Sequence, residues 1–156
     1  MTENPENPYA APGTQVLDSG VDVGRTRLYS PFQVAGGALL GGPVGLVYFL
    51  WTNFKVLRNE RLAKRTLVFG AFLILALLLI LPLLPEEFPS APIALAYMFV
   101  GRYVADKHQM TKMGIAASTG FAFHSNWRVF GLGLLCMLAS VIIVAVPLVY
   151  LAFLRG

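Results

Sequence analysis

A chain of 156 residues that is 56% hydrophobic and only 13% charged lies far from a soluble domain, where about a quarter of residues carry charge. One cysteine, Cys136, excludes an intramolecular disulfide and any multi-cysteine metal site. The net charge of +4 does not read as a nucleic-acid footprint, because the basic residues cluster beside apolar stretches, the pattern that orients membrane proteins; the mean hydropathy of +0.66 agrees.

Residues 1–29 are polar and turn-rich, with Pro5, Pro8, Pro12 and Gly13 among Asn and Glu, and predict a disordered tail. They lack the basic and apolar regions of a signal peptide, and no lipidation motif is expected at either end. Ser30 and Pro31 then read as the N-cap and first position of a helix.

The first span is expected over about residues 32–53. Its five glycines and Pro43 make it a weak inserter. Gly37, Gly41 and Gly45 fall at i, i+4 and i+8, a side-chain-free stripe for close helix packing, better suited to a neighbour in the same chain than to self-association. Pro43 predicts a kink near mid-membrane. A full crossing is the reading adopted; the alternative is a broken span that enters and leaves on one side. The stretch from Trp51 to Arg65 follows, with Lys55, Arg58, Arg61, Lys64 and Arg65 against Glu60 alone. Each such cation costs about 2.5–3.5 kcal/mol at a bilayer centre, so the stretch reads as a loop held in the cytoplasm. It could attract anionic lipid, but its role in topology already accounts for its charge.

The second span, about residues 66–84, is the strongest, with fourteen of its nineteen residues Leu, Ile, Val or Phe. An acidic turn at Glu86 and Glu87 follows. The third, about residues 91–105, is short. Arg102 snorkels toward the interface, and a cytoplasmic helical extension is expected to about residue 118, then a turn around Gly120. The fourth, about residues 129–154, carries Pro147, expected to bend or end it. Nine basic residues fall inside on this plan (Lys55, Arg58, Arg61, Lys64, Arg65, Arg102, Lys107, Lys112 and Arg128), against Arg25, Arg27 and Arg155 outside. Trp51, Tyr103 and Trp127 sit at the inner boundary, and both termini face out. Matches at a spacing of 61 residues (Pro31 with Pro92, Val68-Phe69-Gly70 with Val129-Phe130-Gly131) suggest two tandem hairpins.

The predicted fold is therefore all-α: an integral membrane bundle of four transmembrane helices. No catalytic, cofactor or metal site is expected. His108 and His124 have no metal-ligand spacing, the serines have no adjacent base, and no span holds a deep carboxylate. Ser30-Pro31 before a Gly-rich span, the basic loop, and Ser125-Asn126-Trp127-Arg128 before the last span resemble small multi-spanning bacterial inner-membrane proteins of no assigned activity. That resemblance implies a bacterial inner-membrane setting and no ligand residues. The expected function is a non-enzymatic partner-binding or accessory module, such as a membrane-complex subunit or an immunity-type protein. The alternative is a small transporter or channel formed by oligomerisation. Expected partners are the lipid bilayer and another membrane protein or a second copy, with no nucleic acid.

Overall fold

The structure, a computed structural model, describes residues 25–85 and 89–155. The expected disordered tail over residues 1–24 and the acidic turn at Glu86 and Glu87 lie outside the described residues. In chain order come β1 (Thr26–Leu28), α1 (Pro31–Val56), α2 (Glu60–Ile80) with a 3-10 turn at Leu81–Leu83, α3 (Ala91–His108), α4 (Lys112–Ala117), β2 (Phe121–Phe123) and α5 (Asn126–Arg155). The protein is mostly helical, and three helical stretches, Pro31–Val56, Glu60–Leu83 and Asn126–Tyr150, are long and apolar enough to cross a membrane.

The first of these stretches is not one rod. At Gly42 the backbone adopts φ 60° and ψ −147°, a region only glycine occupies without strain, and the chain turns back on itself. A Cβ added to Gly45 would lie 2.5 Å from the carbonyl oxygen of Gly37, and one added to Gly37 would strike the Phe49 ring. In a straight helix those pairs stand about 12 and 18 Å apart along the axis. Residues 31–41 and 43–56 are thus the two arms of a helical hairpin. At 1.5 Å per residue they measure roughly 16 and 21 Å, each short of the ~30 Å hydrocarbon of a bilayer. The expected break falls at Gly42, one residue before Pro43, and it is a reversal where a bend was expected. Pro43 starts the second arm, at a position where a missing N–H costs nothing and the fixed φ suits a helix.

The Gly37, Gly41 and Gly45 stripe is corrected with it. Gly37 and Gly45 face each other across the hairpin, while Gly41 abuts Cys136 of α5. These glycines do seat neighbours within the chain, on several surfaces and not one.

The hairpin is the hub of the bundle. It packs against α2, α3 and α5, and 56% of its most apolar stretch is buried, against 6% for α2 and 17% for α5. Val34, Ala38, Leu46, Phe49, Leu50 and Phe54 supply most of the core. Gly70 brings α2 against Val47, and Gly101 brings α3 against Ala38 and Leu46. Both arms open at the same end, here termed the base. From the base α2 runs to the far end, α3 returns, and α5 runs out again.

The base is closed by a parallel pairing of β1 with β2, Thr26 opposite Phe121 and Leu28 opposite Phe123. Leu28 and Tyr29, the last residues of the expected tail, are buried. The expected turn around Gly120 holds β2. Helix α2 begins at Glu60, capped by Asn59, so Arg61, Lys64 and Arg65 lie on the helix and not in a loop. The extension of α3 is a separate helix capped by Thr111, because Gln109 turns to extended backbone and binds elsewhere. Helix α5 continues through Pro147. Tandem hairpins do not describe this arrangement: Pro31 opens a folded arm at the base, whereas Pro92 opens a straight helix at the far end.

The hairpin makes a measurable prediction. Spin labels replacing Phe32 and Thr52 are expected to show a dipolar distance of roughly 10–20 Å, where an unbroken helix gives about 30 Å.

Candidate functional site

Two polar clusters hold the hairpin, one at its base and one at its tip. At the base, the Asn53 side chain brackets the main chain of Tyr29. The Tyr29 N–H donates to Asn53 Oδ1 at 2.9 Å, and Asn53 Nδ2 donates to the Tyr29 carbonyl at 2.7 Å. Asn53 Nδ2 also donates to Gln109 Oε1 at 2.8 Å, and Gln109 Nε2 donates to the Leu50 carbonyl at 3.2 Å, tying α3 to the second arm. Ser30 and Gln33 form a reciprocal capping box on the first arm. Gln33 Nε2 then reaches the His124 carbonyl at 2.7 Å and Asn126 Oδ1 at 2.8 Å, tying that arm to the start of α5. Amides suit this work because one side chain supplies donors and an acceptor without a charge to desolvate.

Above this network the Tyr29 ring meets the edge of Phe49 at 4.9 Å between centroids and lies over His124 at 4.2 Å. Burial raises the Tyr29 phenol's pKa, and the nearby Arg128 guanidinium only partly offsets it. The Tyr29 hydroxyl and His124 Nδ1 are buried without a hydrogen bond of good geometry. Burial, reinforced by the positive charges of Arg128 and Arg27, pushes His124 down to about 4, so its imidazole is neutral near pH 7.

At the tip, the Ser140 hydroxyl of α5 donates to the Gly41 carbonyl at 2.6 Å and accepts the Val44 N–H at 3.3 Å. One side chain thus serves the last carbonyls of one arm and the first amides of the other, groups that every helix end leaves unpaired. Beyond the tip, toward the far end and between α2, α3 and α5, lies an apolar hollow of about 400 Å³ reached by Leu77, Tyr97, Met137 and Val144. A second cleft of about 510 Å³ runs between α2 and α3 in the base half, floored by the second arm.

The residues expected to set topology all fall in the base half. Lys55 pairs with Glu60 at 2.8 Å, and Arg58 occupies the left-handed turn between α1 and α2 at φ 55°. Arg61, Lys64 and Arg65 ride the first turns of α2, while Arg102 meets Asp106 at 3.6 Å and Tyr103 meets Lys107 at 3.2 Å. Trp51 is half-buried on the core, Trp127 packs edge-on to Phe130, and Arg128 comes to Tyr29. Arg25 and Arg27, assigned to the opposite side, lie at this same end of the bundle through β1. Sequence reasoning missed Tyr29, Gln33, Asn53, Gln109, Asn126 and Ser140. The available signal was the pair of amides, Gln33 and Asn53, placed nearly evenly about Gly42 in an otherwise apolar span. Among the described residues no three His, Cys, Asp or Glu gather where a metal could sit. No protein-family profile, curated protein or solved structure matches the chain.

Replacing Asn53 with Ala leaves a buried N–H and carbonyl of Tyr29 unpaired, at about 1–3 kcal/mol each. Denaturant unfolding in detergent is expected to show a loss of roughly 2–4 kcal/mol. His124 generates a pH dependence. The unfolded imidazole binds its proton below about 6.5 and the folded one only near 4, so stability falls as pH drops through that window. Unfolding measured from pH 7 to 4 is expected to lose this slope in His124→Gln.

Proposed function

We propose that the chain is a non-enzymatic integral membrane protein of a bacterial inner membrane, working as a partner-binding or accessory module. In this reading α2, α3 and α5 cross the bilayer, and α1 is a re-entrant hairpin entering from the base. Of the twelve Lys and Arg residues, all but Arg155 lie in the base half or at the base itself, which supports a cytoplasmic base by the bias of basic residues toward that side. The N-terminal side joins it there, and the C-terminal end of α5 emerges opposite. Irregular backbone at membrane depth is tolerated when protein covers it; α5 lies against Gly41 and Gly42, and α2 and α3 face them across a hollow.

The observation that carries the partner reading is the hollow beyond Gly42. The hub reaches only partway through the bundle, so the far halves of α2, α3 and α5 have no central helix of their own to close upon. Close-packed interiors lose dispersion contacts wherever a void has no partner atoms. Large side chains from a transmembrane helix of a neighbouring protein fill such a socket, and Ala94, Ser140 and Ala145 at its wall allow close approach. A photo-crosslinking residue in place of Val144, activated in intact membranes, is expected to yield one discrete protein adduct. Lipid adducts alone would remove this reading.

A second reading, a small transporter or channel assembled by oligomerisation, is favoured by the two helix ends that meet in the bundle interior at Gly42, since broken helices form substrate sites in transporters. Against it stands the apolar lining of the hollow, because selective pores are lined with polar or charged groups. Selective solute flux in proteoliposomes containing the purified chain alone would establish it.

A further inference from the structure

We propose that the cleft between α2 and α3 binds an anionic phospholipid, its acyl chain against Phe69, Gly70 and Val104 and its phosphate between Arg65 and Lys107. The cleft of about 510 Å³ has a wall from each helix: Phe69, Phe72 and Ala76 of α2, and Val100 and Val104 of α3, over a floor of Leu46, Val47 and Leu50. Thr66 is the one hydroxyl-bearing residue in the lining, and its hydroxyl is spent on the Leu62 carbonyl at 2.9 Å. Nothing in the trough therefore recognises a polar group, and an alkyl chain suits it.

The mouth is different. Helical spacing carries the α2 wall from Phe69 back to Arg65, four residues earlier, with Arg61 beyond it toward the base, and the α3 wall from Val104 on to Lys107, three residues later. All three cations are exposed, and Glu60, on the same helix as Arg61, is already engaged by Lys55. The other acid nearby, Asp106, is paired with Arg102, away from the trough. Lys107 lies 5.5 Å from the centroid of the Tyr103 ring and 3.2 Å from its hydroxyl, which holds the ammonium at the α3 lip. An apolar channel that ends between cations borne on two helices is complementary to a lipid with a hydrocarbon tail and a negative headgroup. It is not complementary to a zwitterionic one, and the hollow beyond Gly42 has no such mouth. Two or three juxtamembrane cations give anionic lipid a preference on the order of tenfold.

The test uses the full chain in nanodiscs, with Trp51→Phe and Trp127→Phe removing both native indoles and Phe69→Trp placing one reporter in the cleft. Phosphatidylglycerol with brominated chains is titrated against unbrominated phosphatidylcholine, and the converse pair serves as reference. The expected result is quenching at a several-fold lower mole fraction for the brominated anionic lipid. Arg65→Gln combined with Lys107→Gln is expected to bring the two lipids level, while Arg102→Gln, outside the cleft, leaves the preference intact. Equal quenching by both lipids in the unsubstituted background would overturn the proposal, as would a preference that survives the double substitution. An indole shielded from both lipids would mean that protein fills the cleft, and would overturn it equally. The outcome is independent of the crosslinking result at Val144, which reports on the other half of the bundle.

Discussion

The structure depends on reversing a helix inside apolar surroundings without leaving backbone groups unpaired. A helix broken at Gly42 leaves the last carbonyls of one arm and the first amides of the next without helical partners. Three residues resolve this. Gly42 accepts the positive φ, Pro43 removes one orphan donor, and Ser140 serves an acceptor and a donor with one hydroxyl. Because Ser140 belongs to α5, the reversal is completed only by the opposite end of the sequence. The small side of Gly41 against Cys136 then allows α5 to come close enough for that hydroxyl to reach.

The same logic governs the base. Two arms end there beside a returning α3 and a departing α5, and the converging main-chain groups are met by neutral amides of Asn53, Gln33 and Gln109, with Asn126 accepting from Gln33. Charged groups stay on the rim, where Arg61, Arg65 and Lys107 remain in contact with solvent. The sorting follows from cost: a buried amide with full hydrogen bonding is inexpensive, and a buried ion without a partner is not.

Much of this could be read from the residues alone. The Ser30-Pro31 start, the two strong apolar spans and the clustering of cations all depend on local chemistry, and each lies close to where it was expected. What could not be read was direction. Glycines every fourth residue describe one stripe only if the helix is straight, and the reversal at Gly42 turns Gly37 and Gly45 toward each other and Gly41 toward α5. The same reversal returns α1 to the end where it began, and so leaves Arg25 and Arg27 beside the start of α2. Gln109 was hidden for a related reason: by propensity it continues α3, but bonds to Asn53 and Leu50, more than fifty residues away, hold it in extended backbone. Long-range partners such as these leave no periodic trace.

The clasp at Ser140 also orders events in time. It lies 99 residues beyond the Gly41 carbonyl that it holds, and β2, which completes the pairing begun at Thr26, also emerges late. At translation rates of about 5–20 residues per second, the first arms are synthesised roughly 5–20 seconds before their partner leaves the ribosome. During that interval the reversal lacks the hydroxyl that serves its carbonyl and its amide. The two arms therefore stay unclasped until the last helix has been made.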